Sequence, residues 1–255
     1  MPLDVDVAVR ALAIIPARWG STRFPGKPLA PLAGRPLIQH VVEAARASRA
    51  FERVLVATDD DRIAEAVAGF GGEVERTSPA HRSGTDRVAE VAARLPPEAP
   101  EVVVNLQGDE PLVHPDALRL LVEAFTDVRV EMATLVRPLE DRAERLSPHV
   151  VKVVPDARGD ALYFSRMDIP FDRGGGRVAR FAHVGLYGYR RPTLLRLAQL
   201  PPGTLELAES LEQLRALEHG IRIRCLRTEA ASIGVDTPAD LARAEAELAA
   251  RKRGV

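Results

Sequence analysis

One cysteine, Cys225, stands among 255 residues. That excludes an intramolecular disulfide framework and a cysteine-rich zinc site. An excess of either charge is also missing: 35 Lys and Arg face 36 Asp and Glu, for a net −1. A nucleic-acid binder working through bulk positive charge is thereby excluded, while a local basic pocket is not. No apolar run reaches the length of a membrane span, and the first ten residues carry Asp4 and Asp6. We therefore expect no signal peptide, no membrane insertion and a cytoplasmic location. Internal repeats and flexible linkers are lacking. So are HExxH and CxxC metal spacings, and GxGxxG after the first strand signal, which argues against a standard dinucleotide fold.

What is present is globular patterning. Apolar residues at 46% against 28% charged argue against disorder. The length suits one large domain or two intimate ones, with about three quarters of the unfolded surface buried. Ala11–Ile15 is a continuous apolar run, the mark of a strand buried on both faces. A helix over Pro36–Arg49 follows, then a strand over Arg53–Ala57, a helix over Asp60–Phe70 stopped by Gly71-Gly72, and a short strand over Glu73–Thr77. Thr85–Leu95 reads as a helix, Glu101–Leu106 as the strongest strand and Pro115–Phe125 as a helix. This alternation implies an α/β fold: a mostly parallel sheet flanked by helices. The second half is less regular. Val130–Val136, Val151–Val154, Ala161–Ser165, His183–Tyr189 and Ile221–Arg227 read as strands, Leu205–His219 as one helix, and Phe171–Arg180 as a Gly-rich loop. Thr237 before Pro238 opens a final helix. We read residues 1–255 as one domain, to which about 130–200 contributes a smaller mixed-strand lobe.

In such sheets ligands bind beyond the carboxyl ends of the strands. After the first strand come Arg18, Arg23 and Lys27, with Gly20 and Gly26 freeing the backbone. Guanidinium forks, an ammonium and close amides are what a polyphosphate needs; the alternative is a solvated basic loop. A P-loop is excluded, because five residues separate Gly20 from Gly26 and Pro28 replaces the hydroxyl that would meet magnesium. Asp109 follows the strongest strand, and Asp236 precedes the last helix. Each suits a hard cation, and each has a plain reading, as a turn former and a helix cap. Ser83 offers a hydroxyl to a base or ribose, or caps its helix. His183 and Tyr187 share a strand face by spacing, and a strand His is commonly structural. Arg166 suits a carboxylate but also an ordinary surface; Glu212 and Gln213 lie in a helix, where exposure is the default.

The segments IIPARWGSTRFPGKPL, RVLVATDDDRIAEAV, HRSGTDRVAEV, VVVNLQGDEPLV, VVKVVPDARGDALYFSRMDIPF, HVGLYGYRR, LELAESLEQLRALEHGIRI and GVDTPADL occur in one order from about Leu12 to Leu248. Together they resemble the 3-deoxy-manno-octulosonate (Kdo) cytidylyltransferases, also called CMP-Kdo synthetases. The resemblance implies a nucleotide-diphospho-sugar transferase type of sheet and a lobe that mediates homodimerisation. It implies CTP and a sugar acid as substrates, Mg²⁺ as cofactor, and CMP-Kdo for lipopolysaccharide or capsule as product. Arg18, Ser21, Arg23 and Lys27 would hold the triphosphate, and Ser83 and Gln107 would lie at the cytidine. Asp109 and Asp236 would bind the metal and, with Lys27 and Arg18, form the catalytic set. Arg166, His183, Tyr187, Glu212 and Gln213 would line the sugar-acid pocket. A related acidic acceptor (8-amino-Kdo, sialic acid or a phosphonate) is the alternative. Two further readings are a nucleotidyltransferase for neutral sugar phosphates and a non-catalytic nucleotide-binding protein.

Overall fold

A computed structural model describes residues 9–20, 24–81, 83–175, 178–229 and 234–253. Of the expected site residues, Ser21 and Arg23 lie outside these.

The chain opens with β1 (Ala11–Ala17), a small hairpin of β2 (Pro31–Leu32) and β3 (Arg35–Pro36), and α1 (Leu37–Ser48). Next come β4 (Arg53–Thr58), α2 (Asp61–Gly69), β5 (Glu73–Arg76), α3 (Gly84–Arg94), β6 (Val102–Asn105) and α4 (Pro115–Glu123). The second half holds β7 (Met132–Pro138), α5 (Arg142–Leu146), β8 (Lys152–Pro155), β9 (Ala161–Ser165) and β10 (Phe181–Arg190). It ends with α6 (Arg191–Gln199), α7 (Thr204–Glu209), α8 (Gln213–Glu218), β11 (Ile223–Arg227) and α9 (Pro238–Arg253).

The main sheet runs β11-β7-β10-β6-β1-β4-β5, with the β8–β9 hairpin attached through β10. β6, β1, β4 and β5 pair in parallel, as do β7 and β11, while β10 runs antiparallel to both of its sheet neighbours. Period-two alternation along the central strand feeds two cores. Ala11, Ala13, Ile15 and Ala17 face the layer of α1 and α4, where Ile38, Val41, Leu118 and Leu121 are buried. Leu12 and Ile14 face the opposite layer, with Val88 and Val91 of α3, Leu194 and Leu197 of α6, and Leu214 of α8.

Three features differ from the sequence reading. The single helix expected over Leu205–His219 is broken. Ser210 adopts a left-handed conformation (φ 52°), ending α7 before α8 begins. The apolar spacing is helical on both sides of the break, so periodicity cannot see it. Contacts outside the segment hold the break in place: Ser165 Oγ and the Arg166 amide donate to Glu209 at 2.6 and 2.9 Å. Arg215 joins the two halves through a fork onto Glu206 at 2.8 and 2.5 Å. Second, α6 was not expected, although Arg191-Pro192 supplies proline in its first turn. Third, α5 was not expected; it is a five-residue turn that Asp141 caps by accepting from the Ala143 amide at 2.8 Å.

Candidate active site

The first strand delivers its exit loop to the carboxyl edge of the sheet. Within that loop Gly26 has φ 71°, and a Cβ there would stand 3.0 Å from the Trp19 ring. Only glycine fits both constraints. The Gly26 amide donates to the Trp19 carbonyl at 3.0 Å, and the Arg62 guanidinium stacks 3.4 Å over the indole. The loop is thus pinned from α2, and Lys27 follows in a short 3₁₀ turn.

Lys27 Nζ donates to Asp109 Oδ2 at 2.6 Å and to Asp236 Oδ1 at 3.2 Å. Two acids 127 positions apart in the chain therefore meet on one cation. Gly108 permits the approach: a Cβ there would lie 2.8 Å from the Pro16 carbonyl oxygen. The Val235 amide donates to the Asp109 carbonyl at 2.9 Å and ties the two segments together. Thr237 and Asp240 cap α9 reciprocally, with the Thr237 amide donating to Asp240 Oδ2 and the Asp240 amide donating to Thr237 Oγ1. The Asp236 carboxylate is not needed as the cap.

These groups line a cleft of about 240 Å³ that also takes in Arg18, His81, Ser83, Gly84, Arg87 and Gln107. Ser83 does cap α3, accepting from the Asp86 amide at 3.0 Å, yet it lines the cleft as well. The buried Arg87 pairs with Asp59 at 3.0 Å, and burial lowers its pKa.

Gln107 also lines a second cavity of about 100 Å³, together with Thr85, Asn105, Tyr187, Tyr189, Glu212 and Gln213. The Gln107 amide donates to Asn105 Oδ1 at 3.1 Å. Tyr187 Oη and Gln213 Nε2 are buried with no hydrogen-bond partner among the described residues. Unpaired buried polar atoms are costly, and their convergence in one cavity marks a place that a polar ligand would complete. Burial raises the pKa of Glu212 and of the Tyr187 phenol.

His183 sits behind that wall, its ring 5.2 Å from Tyr187 and 5.2 Å from Phe164 of β9. A bulge between Val184 and Tyr187 shortens β10 enough for the two rings to touch. The His183 ring meets Thr134 Oγ1 at 2.9 Å, and burial pushes its pKa down to about 3, so it is neutral at pH 7. Arg166 is placed differently from the rest of the expected sugar-acid set. Its guanidinium donates to the backbone carbonyls of Glu209, Pro148 and Ser210, and it lines neither cavity. Among the described residues no cation lines the inner cavity.

Among the described residues no cluster of three or more His, Cys, Asp or Glu is arranged to hold a metal alone. The pair Asp109 and Asp236 is nonetheless held around one positive charge, with Lys27 standing where a cation would sit. That donor set fits Mg²⁺, which takes one or two carboxylates and completes its shell with water and substrate phosphates.

Sequence reasoning missed His81, Asn105 and Tyr189. Asn105 carried a signal, a polar side chain inside the apolar run EVVVNL that is 1% exposed.

Residues 12–223 match the family described as Cytidylyltransferase. The chain is 56% identical to the 3-deoxy-manno-octulosonate cytidylyltransferase of Myxococcus xanthus, over 95% of this chain and 98% of that one. It is 58% identical to the protein of that name in Anaeromyxobacter sp. strain Fw109-5, over 96% and 99%. The chain belongs to the Kdo cytidylyltransferase family.

A solved structure of CMP:2-keto-3-deoxy-manno-octonic acid synthetase complexed with CTP superposes with a TM-score of 0.90 at 45% identity, covering 95% of this chain and 99% of that one. The 4-diphosphocytidyl-2C-methyl-D-erythritol synthase of Anaerococcus prevotii, at TM-score 0.63 and 14% identity, shares the fold alone. The α/β reading, a mostly parallel sheet flanked by helices, agrees with this family's architecture.

Proposed function

We propose that the protein transfers CMP from CTP to the anomeric hydroxyl of 3-deoxy-D-manno-octulosonate, giving CMP-Kdo and pyrophosphate. The observation that carries this reading is Lys27 held between Asp109 and Asp236, in a cleft that Gln107 joins to a cavity with two orphaned polar groups. One compartment suits a nucleoside triphosphate and the other a polyhydroxy acceptor. The identity and coverage of the named relatives support the same substrates.

The anomeric hydroxyl gives up its proton to water as its oxygen bonds to the α-phosphorus and the bond from that phosphorus to the pyrophosphate oxygen breaks. Direct transfer needs no covalent enzyme intermediate once both substrates are oriented. Lys27 and Arg18, with Ser21 and Arg23, counter the charge on the triphosphate. Asp109 and Asp236 hold Mg²⁺, which when bound polarises the α-phosphate. Tyr187, Glu212 and Gln213 orient the sugar acid, and His183 braces Tyr187 as a neutral ring. Arg166 reaches the acceptor's carboxylate after releasing its backbone carbonyls. In this reading CMP-Kdo is made in the cytoplasm for lipopolysaccharide or capsule. No helix among the described residues is long and apolar enough to cross a membrane.

The same reading makes the protein a homodimer. Leu146, Leu162, Met167, Phe171 and Leu207, all between 63% and 88% exposed, stand on the lobe and the helix beside it. Contiguous apolar surface marks an interface, and we assign these residues to it. A sedimentation mass of one chain at micromolar concentration would contradict the dimer.

The test of function is pyrophosphate release with CTP, UTP, ATP and GTP, each against Kdo, 8-amino-Kdo, sialic acid and a phosphonate. CTP with Kdo gives the highest kcat/KM. A higher value for another acceptor replaces Kdo, and no release from CTP with any acceptor removes the catalytic reading.

A further inference from the structure

In the proposed reading the triphosphate lies against Lys27, Asp109 and Asp236. His81, Ser83 and Gly84, before and at the start of α3, line the same cleft with Gln107, whose Oε1 stands 3.8 Å from where a Gly84 Cβ would be. With the triphosphate on the first group of residues, the base falls to the second.

His81 is held there by a dedicated support. Its Nε2 lies 2.5 Å from Glu90 Oε2, on α3. Glu90 is itself anchored: the Ser78 amide donates to the same Oε2 at 2.9 Å, and Arg94 pairs with the other oxygen, Oε1. A carboxylate that already accepts from an amide and a guanidinium can only accept from the imidazole. The proton of a neutral His81 is therefore on Nε2. In that tautomer Nδ1 is the ring's lone-pair acceptor. The carboxylate fixes the tautomer, and the tautomer fixes what the cleft asks of a ligand.

That demand separates the pyrimidines. Cytosine carries an amino donor at position 4, where uracil carries a carbonyl acceptor. An acceptor at Nδ1 pairs with the first and meets the second lone pair to lone pair. A site built to pair one polar group rejects an analogue that cannot supply it, because its own atom is left unpaired.

We infer that His81, oriented by Glu90, is a specificity-determining residue that selects a cytosine base by accepting from its 4-amino group. The inference rests on the reading of this cleft as a nucleoside triphosphate site. It adds a residue and a tautomer that the phosphate-binding groups do not determine.

Calorimetric binding of CTP and of UTP to the whole protein, without acceptor, tests it. The unmodified protein binds CTP at least about tenfold more tightly than UTP, one good hydrogen bond's worth of discrimination. In His81→Ala the ratio falls toward unity, mainly because CTP binding weakens. His81→Asn, which keeps an amide oxygen near the place of Nδ1, retains part of the preference. His81→Leu, close to histidine in volume, loses it and serves the same purpose if the alanine variant unfolds. A residue that only shapes the loop would weaken both nucleotides equally and leave the ratio unchanged; that result overturns the inference. An unmodified protein that binds neither nucleotide overturns the cleft assignment itself. CTP binding with an intact ratio in His81→Ala leaves the cleft assignment standing and removes only His81.

Discussion

In the cleft that holds Lys27, Asp109 and Asp236 each have its ammonium within 3.2 Å. In the inner cavity, on the far side of Gln107, Tyr187 Oη and Gln213 Nε2 have no partner, and burial raises the pKa of Glu212. The first region is neutralised by its own side chains and can wait for its ligand at little cost. The second holds buried polar groups that lack bonds, and it carries that cost until something polar enters. The difference teaches which residues to expect to trade stability for binding. Cleft residues should change turnover or affinity with little effect on folding, while cavity residues should do both, in opposite directions.

The largest effect should come from the acids. Asp109→Asn and Asp236→Asn each lower kcat about 100- to 1,000-fold, the range for removing one electrostatic element of a transition state. Their melting temperatures stay close to the parent's. Steady-state pyrophosphate release at saturating magnesium checks this, and a near-parental kcat in either variant removes that acid from the chemistry. Lys27→Ala comes next: CTP binding weakens about 10- to 100-fold with the loss of charge-assisted bonds. An unchanged Kd by calorimetry would show that Lys27 serves only its two acids.

Tyr187→Phe sharpens the contrast from the cavity side. Deleting an orphaned hydroxyl stabilises the unliganded protein by about 1 kcal/mol, a rise of a few degrees in Tm. The KM for the sugar acid rises while the Kd for CTP stays put. A lower Tm would mean that the hydroxyl is bonded after all.

A separate effect is on pH dependence. His183 titrates near 6.5 unfolded and about 3 folded. Between those values the unfolded chain holds a proton that the folded protein refuses. Stability therefore falls as pH drops below about 6.5 and levels off near 3, by at most about 1.4 kcal/mol per pH unit from this group. Urea midpoints from pH 7 to pH 4 should show a shallower fall in His183→Phe. Equal slopes would place the imidazole in contact with water.

The strand and helix order of the first half was legible because each element carries its own period. A continuous apolar run marks β1 and β6, and 3.6-residue spacing marks α1 and α3. The charge of the first loop is local to the sequence: Arg18 and Lys27 line the cleft, while Arg23 lies outside the described residues. The meeting of Asp109 and Asp236 was legible through the family resemblance, since nothing local reports that Val235 bonds to the Asp109 carbonyl. What stayed hidden depends on long-range contact. The break at Ser210 is held by Ser165 and Arg166, forty-odd residues away. The bulge in β10 leaves Gly185 and Leu186 opposite no residue of β7, a register that alternation along β10 does not report. His81 was hidden because a histidine beside a helix cap looks ordinary until Glu90, nine residues on, is seen to hold it.

Both compartments matter only if they serve one bond-forming event. The direct measurement is the fate of ¹⁸O placed at the anomeric hydroxyl of Kdo and followed by mass spectrometry through one turnover with CTP. The account predicts that the label remains in the sugar–phosphate bridge of CMP-Kdo and that unlabelled pyrophosphate is released in equal amount. Label in the pyrophosphate, or pyrophosphate released without a CMP-linked sugar, would contradict it.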